Sequence, residues 1–258
     1  MPLSAAIPAR RTLKLTLAYD GADFAGWQSQ PELRTVQGTL KTALERIAAE
    51  PVNLMGSGRT DAGVHALGQV ASFETTSQHS CEVFHRALNA ELPEDIAVLA
   101  VEEAPAGFHA LRSARRKRYR YVIHDSGARD VLARRFCWQL AYQLDDAAMK
   151  RAAEALVGTH DFSSFRTGGP KRRSSVRTVF ALDIARPHAD RPFELYLEVE
   201  ADGFLYNMVR VIAGTLVQVG RGVETEHWVH EVLESQSRFA AGRTAPPQGL
   251  ILLWVRYA

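Results

Sequence analysis

Cysteine is nearly absent from this chain: Cys81 and Cys137 are the only two in 258 residues. They stand far apart with no ligand pattern around them, which argues against a disulfide framework and a zinc centre. Long apolar runs are missing too. No stretch reaches the roughly 18 uninterrupted apolar residues of a membrane span. The most apolar helix-like segment, residues 204–219, carries Arg210 at its centre. The first eleven residues lack the apolar core of a signal peptide, so the expected location is the cytoplasm. A large net charge is also lacking, the formal total being +2.

What is present is an ordinary globular composition, 46% hydrophobic and 23% charged. The length suits one large domain or two of roughly 120 residues each. The small net charge hides an uneven distribution. Residues 112–135 carry nine cations against Asp125 and Asp130, a local balance of +7. Residues 166–177, which include Lys171, Arg172 and Arg173, add five cations and no acid, leaving −10 for the remainder. A basic surface on an acidic body suits a polyanionic partner; the bland alternative is solvated charge on unrelated faces.

Residues 12–19 alternate, with Leu13, Leu15, Leu17 and Tyr19 on one face, which predicts a half-buried strand. Residues 35–50 place Val36, Leu40, Ala43, Leu44 and Ile47 at helical spacing, and Pro51 marks the stop. Strands are expected at 51–55, 67–75 and 96–103 and a helix at 81–92, completing a βαββαβ order. The second part repeats the pattern without repeating the residues. It reads as a strand at 117–124, a helix at 145–157, a strand pair at 176–185 and 193–200, helices at 205–219 and 226–235, and a closing strand at 250–256. The expected fold is α+β in two similar halves, residues 1–110 and 111–258. Each half is a mainly antiparallel four-stranded sheet with helices, RRM-like, with the active site in the cleft between them.

The loudest chemical signal is the glycine-rich stretch Gly56-Ser57-Gly58-Arg59-Thr60-Asp61-Ala62-Gly63. Gly58 and Gly63 have phosphate-loop spacing, yet Val64-His65 stands where Lys and Ser/Thr are required. Gly56-Ser57-Gly58 begins a dinucleotide fingerprint, but Asp61 occupies the third glycine position, where a carboxylate repels pyrophosphate. The remaining reading is that the glycines serve Asp61. They allow close approach of a substrate, and an Asp ionised at neutral pH acts as nucleophile or base without an activating partner. Arg59 is placed to hold that carboxylate or a phosphate. Taken alone, Gly-Arg-Thr-Asp reads first as a turn Asp beside a surface Arg.

The neighbours change that weighting. The run Gly58-Arg59-Thr60-Asp61-Ala62-Gly63-Val64-His65-Ala66-Leu67-Gly68-Gln69-Val70 closely resembles the catalytic motif of the tRNA pseudouridine synthase A family. Further blocks agree in order: Leu17-Ala18-Tyr19-Asp20-Gly21 with Phe24-Ala25-Gly26-Trp27-Gln28, and then Thr35-Val36-Gln37-Gly38-Thr39-Leu40. Phe108-His109-Ala110, Tyr119-Arg120-Tyr121 and Asp161-Phe162-Ser163-Ser164-Phe165 follow. Phe204-Leu205-Tyr206-Asn207-Met208-Val209-Arg210 and Ala245-Pro246-Pro247-Gln248-Gly249-Leu250 complete a resemblance that runs from about residue 12 to 257. Two departures stand out: Leu111 where an Arg is common, with Arg112 next to it, and an unusually basic Lys171-Arg172-Arg173.

The resemblance implies an isomerase that converts uridine to pseudouridine at tRNA positions 38, 39 and 40, without cofactor or metal, acting as a homodimer. It implies Asp61 as the essential carboxylate, Arg59 as wedge or phosphate partner, and Tyr119 as the ring that stacks on the uracil. Leu250 is implied as a pocket wall. Arg210 lies among Met208, Val209, Val211 and Ile212, where a lone cation needs an anionic partner, and Asp61 is the candidate. Arg118 and Arg120, flanking Tyr119, are expected to contact RNA. His65 and His109 have no metal-ligand spacing and read as structural or RNA-contacting.

Three rivals remain. A non-catalytic RNA-binding protein of the same fold would not depend on Asp61. An Asp-nucleophile phosphotransferase needs a second acid nearby for its metal, and none lies within ten residues of Asp61. A pseudouridine synthase for another RNA shares the chemistry.

Overall fold

The computed structural model describes residues 10–168 and 174–257. In the first half, β1 (Arg11–Tyr19) is followed by α1 (Val36–Ala48), β2 (Met55–Gly56), β3 (His65–Thr75), α2 (Cys81–Glu91) and β4 (Ile96–Ala104). That is the βαββαβ order expected from the hydrophobic periods. Leu13, Leu15, Leu17 and Tyr19 are all buried, as their alternation requires. Thr35 caps α1 by accepting from the Gly38 amide, and Ser80 caps α2 by accepting from the Val83 amide.

The strand expected at 51–55 shrinks to Met55–Gly56. Val52 and Leu54 are buried, but side chains take the local backbone groups instead of a ladder. The Val52 amide donates to Glu45 and the Leu54 carbonyl accepts from Gln37.

The second half runs β5 (Ala114–His124), β6 (Trp138–Gln139), α3 (Asp146–Ala153), β7 (Gly158–Asp161), β8 (Val176–Ala185) and β9 (Glu194–Ala201). It ends with α4 (Met208–Gly220), α5 (Trp228–Ser235) and β10 (Leu250–Tyr257). Strands β6 and β7 add to the four expected, being too short to show a period. Among the described residues no helix is long and apolar enough to cross a membrane.

The strands form one sheet in the order β4-β1-β3-β10-β5-β9-β8-β7, with β2 on β3 and β6 on β5. Each half contributes its own four principal strands in the same spatial sequence: fourth, first, third, second. The α+β architecture in two similar halves therefore matches expectation. What the periodicity did not carry is the join. Strand β3 pairs in parallel with β10, Ile251 opposite His65 and Leu252 opposite Ala66. The backbones come close there: a Cβ on Gly68 would sit 2.4 Å from the Leu253 carbonyl oxygen.

One face of the sheet carries the apolar core, where Leu13, Leu15 and Leu17 join Phe84, Leu197, Val199 and Leu216 in a single cluster across both halves. The other face is polar. Alternation along β5 puts Tyr119 and Tyr121 on the core side and Arg116, Arg118 and Arg120 on the polar side.

Candidate active site

Strand β2 delivers the chain into the loop that holds Asp61, and side chains beneath that loop fix its course. The Ser57 amide donates to the Val70 carbonyl (2.7 Å), and the Ser57 hydroxyl donates to Gln69 Oε1 (2.6 Å). Gln69 Nε2 in turn donates to the Gly58 carbonyl at 3.1 Å. The Tyr19 hydroxyl lies 2.8 Å from Thr60 Oγ1, and burial pushes its pKa up to about 12. Lys117 Nζ donates to the Ser57 carbonyl at 2.6 Å. A buried network of this kind rigidifies what it supports because every member is satisfied.

A second segment clamps the loop from the side. The Trp27 amide donates to the Thr60 carbonyl at 3.0 Å. Gly26 adopts φ +94°, and a Cβ there would stand 2.8 Å from that same carbonyl oxygen, so only glycine lets the two backbones meet.

Asp61 belongs to the first half and Arg210 to the first turn of α4 in the second, yet Arg210 Nη1 lies 3.4 Å from Asp61 Oδ2. The Asp61 and Arg210 side chains retain only 21% and 15% of their exposure. Arg210 is anchored elsewhere as well: Nε donates to the Ala245 carbonyl and Nη1 to Asn207 Oδ1, both at 2.7 Å. Burial pushes the Asp61 carboxyl above its ordinary value, and the Arg210 cation pulls against that shift.

Tyr119 is buried and meets Phe204 edge to face, with ring centroids 5.0 Å apart. Its hydroxyl is held neutral, first by burial and then by the nearby Tyr19 and Asp61. Leu250 is buried at the start of β10. Just before it, Pro247 packs on Gly63, whose φ is +76°. The closing segment thus touches the Asp61 loop through Pro247 and Arg210 through Ala245.

Asp61, Arg210 and Tyr119 therefore come together, with Leu250 on the adjoining segment. Arg59 does not join them: its side chain is exposed, and the Asp61 carboxylate pairs with Arg210 instead. Arg118 and Arg120, expected to contact substrate, stand apart from this group. They lie on the polar face, away from Tyr119, and carboxylates already hold them. Arg118 pairs with Glu198, Glu200 and Asp183, and Arg120 with Glu198 while lying over the Tyr196 ring. Arg135 likewise pairs with Asp20 and Asp23. The basic stretch at 112–135 therefore exposes less free charge than its composition suggests. Lys171, Arg172 and Arg173 lie outside the described residues.

Sequence reasoning missed the supporting residues Tyr19, Ser57, Thr60, Gln69 and Lys117. One signal was available: Lys117 stands two residues before Tyr119 on an alternating strand, hence on the same face. A cavity of about 610 Å³, lined by residues that include Phe108, His109, Arg112 and Tyr257, is separate from Asp61 and holds none of the residues above.

The site is thus a half-buried carboxylate faced by a cation, beside a buried aromatic, on an α+β sheet that both halves share. The chain belongs to the tRNA pseudouridine synthase family, whose model matches residues 16–111 and 152–258. Among its curated relatives are proteins named tRNA pseudouridine synthase A. One from Thermoanaerobacter sp. (strain X514) is 44% identical over 247 residues, covering 96% of this chain and 100% of the relative. One from Moorella thermoacetica is 47% identical, covering 95% and 99%. One from Geobacter sulfurreducens is 46% identical, covering 96% and 100%. A solved archaeal box H/ACA sRNP Nop10-Cbf5 complex aligns with a TM-score of 0.37 and 10% identity, over 94% of this chain and 62% of that one.

Proposed function

We propose that this chain isomerises uridine to pseudouridine at positions 38, 39 and 40 in the anticodon stem-loop of tRNA. The observation that carries the reading is the Asp61–Arg210 pair beside Tyr119, in a chain of this family. The reaction breaks the N1–C1′ glycosidic bond, turns the uracil in place and joins C5 to C1′. C5 loses its hydrogen as a proton and N1, freed from C1′, takes one up, so the change is an isomerisation. The target base must first leave its stack, at a cost of a few kcal/mol.

Asp61 is the carboxylate that acts on the flipped nucleotide, and Arg210 keeps it ionised despite its burial. Tyr119 stacks on the detached uracil; such stacking contributes roughly 1–3 kcal/mol per base. Leu250 walls the pocket. Arg59, exposed at the loop's outer side, meets a phosphate or fills the gap left by the flipped base. The same reading makes the enzyme a cytoplasmic homodimer in which each tRNA touches both subunits.

The test is tritium release from tRNA containing 5-tritiated uridine. Release by the native protein is the expected outcome. None would favour an RNA-binding protein without catalysis, and release only from a different RNA would reassign the substrate.

Because Arg118 and Arg120 face away and are already paired, Arg118→Gln and Arg120→Gln should leave tRNA affinity unchanged in a filter-binding titration. Their effect belongs to stability instead. Each should lower the unfolding free energy in denaturant by about 1 kcal/mol, the upper range for part-exposed ion pairs.

A further inference from the structure

We infer that His65 is a positioning residue that locks the seam between the two halves and thereby sets Asp61 against Arg210. The inference rests on the reading of Asp61 as the reacting carboxylate. His65 follows Asp61 by four residues, is 3% exposed and opens β3 at the point where that strand pairs with β10. Its Nδ1 accepts from the Gly21 amide at 3.0 Å and lies 3.1 Å from Asp20 Oδ1. Its ring packs on Phe136, with centroids 4.8 Å apart. Its Nε2 is buried without a hydrogen-bond partner, with the backbone carbonyls of Arg135 and Gln248 nearby.

One imidazole thus touches three separate segments: the turn after β1, residues 135–136, and the turn before β10. Two of these bear on the pair. A Cβ on Gly21 would fall 1.9 Å from the Val64 carbonyl oxygen, so the β1 turn lies against the loop that carries Asp61. Gln248 follows Pro247, which abuts Gly63, and the same segment receives Arg210 through Ala245. Moving the imidazole displaces both partners of a contact whose chemistry is sensitive to shifts of about 1 Å.

The bond from Gly21 needs the Nδ1 lone pair, which puts the proton of the neutral ring on Nε2. The charged groups nearest the ring are Asp20 and, through Asp20, Arg135, which is shared with Asp23. Burial holds the ring's pKa below its ordinary 6.5, with Asp20 opposing. Protonating Nδ1 exchanges the Gly21 acceptor for a bond to Asp20 and frees the β1 turn.

The experiment measures single-turnover tritium release and tRNA affinity from pH 5 to 8 for the native protein, His65→Phe and His65→Asn. His65→Phe keeps the bulk and loses both nitrogens; its rate should fall about 100-fold while affinity holds. The His65→Asn amide oxygen takes the place of Nδ1 and should restore at least about tenfold of that loss. The native acid limb should carry two ionisations, Asp61 and His65, and the Asn variant only one. An unchanged rate in His65→Phe, affinity falling in step with rate, or identical acid limbs in native and His65→Asn would each overturn the inference. If His65→Phe does not fold, by its thermal unfolding profile, the limb of His65→Asn decides. No release by the native protein would instead sink the pseudouridine reading, and this inference with it.

Discussion

Asp61→Asn is expected to abolish tritium release, on the order of 10⁴-fold or more, which is the scale at which a reacting carboxylate is lost. The amide has nearly the same shape, so the loop that Tyr19, Gln69 and Trp27 support should stay in place. Affinity for tRNA should therefore survive in an equilibrium binding assay, which separates lost chemistry from lost binding. Stability should move the other way. A carboxyl whose folded pKa lies above its unfolded value binds more protons folded than unfolded as pH rises between the two. Ionising it costs stability: nothing below the unfolded pKa, then a cost that grows until pH passes the folded one. At neutral pH that cost is present in full and the Asn variant lacks it. Its Tm should equal or exceed the native value at pH 7, with the difference vanishing in acid. A Tm well below native would mean that Asp61 holds the fold together, and the reading of its burial as a functional strain would fail.

The second large effect concerns Arg210. Arg210→Ala removes the cation facing Asp61 and leaves the Ala245 carbonyl without its donor. The acid limb of the rate should then rise by about one to three pH units, the range for a carboxylate that loses an adjacent guanidinium. The sign follows from the two causes at Asp61. Burial raises its pKa, Arg210 lowers it, and removing the second leaves the first unopposed. The loss of rate is thus greater at pH 6 than at pH 8, and a pH–rate profile reads it directly. Arg210→Lys keeps the charge but not the planar fork that reaches Ala245, Asn207 and Asp61 at once. It should hold the limb nearer native while still lowering the plateau. A limb that does not move in the Ala variant would show that Arg210 serves the backbone of the closing segment alone.

Most elements of the first half were legible because their burial follows one period. β1 alternates cleanly, and α1 and α2 combine a helical stripe with Thr and Ser caps. Strand β2 was over-read for a physical reason: buried Val52 and Leu54 mimic a strand, while Glu45 and Gln37 take the backbone bonds that a ladder would need. The Asp61 loop stood out by its glycines and its carboxylate. Its partner was harder to find, since Arg59 is two residues away and Arg210 is 149. The apolar surroundings of Arg210 still pointed to an anion, because an unpaired cation is costly in such a place. The partners of Arg118 and Arg120 were not legible, because composition counts charges and cannot count their pairings. Glu198, Glu200 and Asp183 arrive from strands about 65 to 82 residues further on.

The sequence by itself determined the secondary elements, the repeat of their order and the chemical character of the Asp61 loop. Each of those depends on residues within a few turns or strand repeats of one another. Only the tertiary structure decided that the two halves share one sheet and that His65 stands at their seam. Those outcomes depend on the parallel pairing of β3 with β10 and on the close approaches that Gly21, Gly26 and Gly68 permit. Local period and propensity carry no information about contacts at such sequence distance, and burial does.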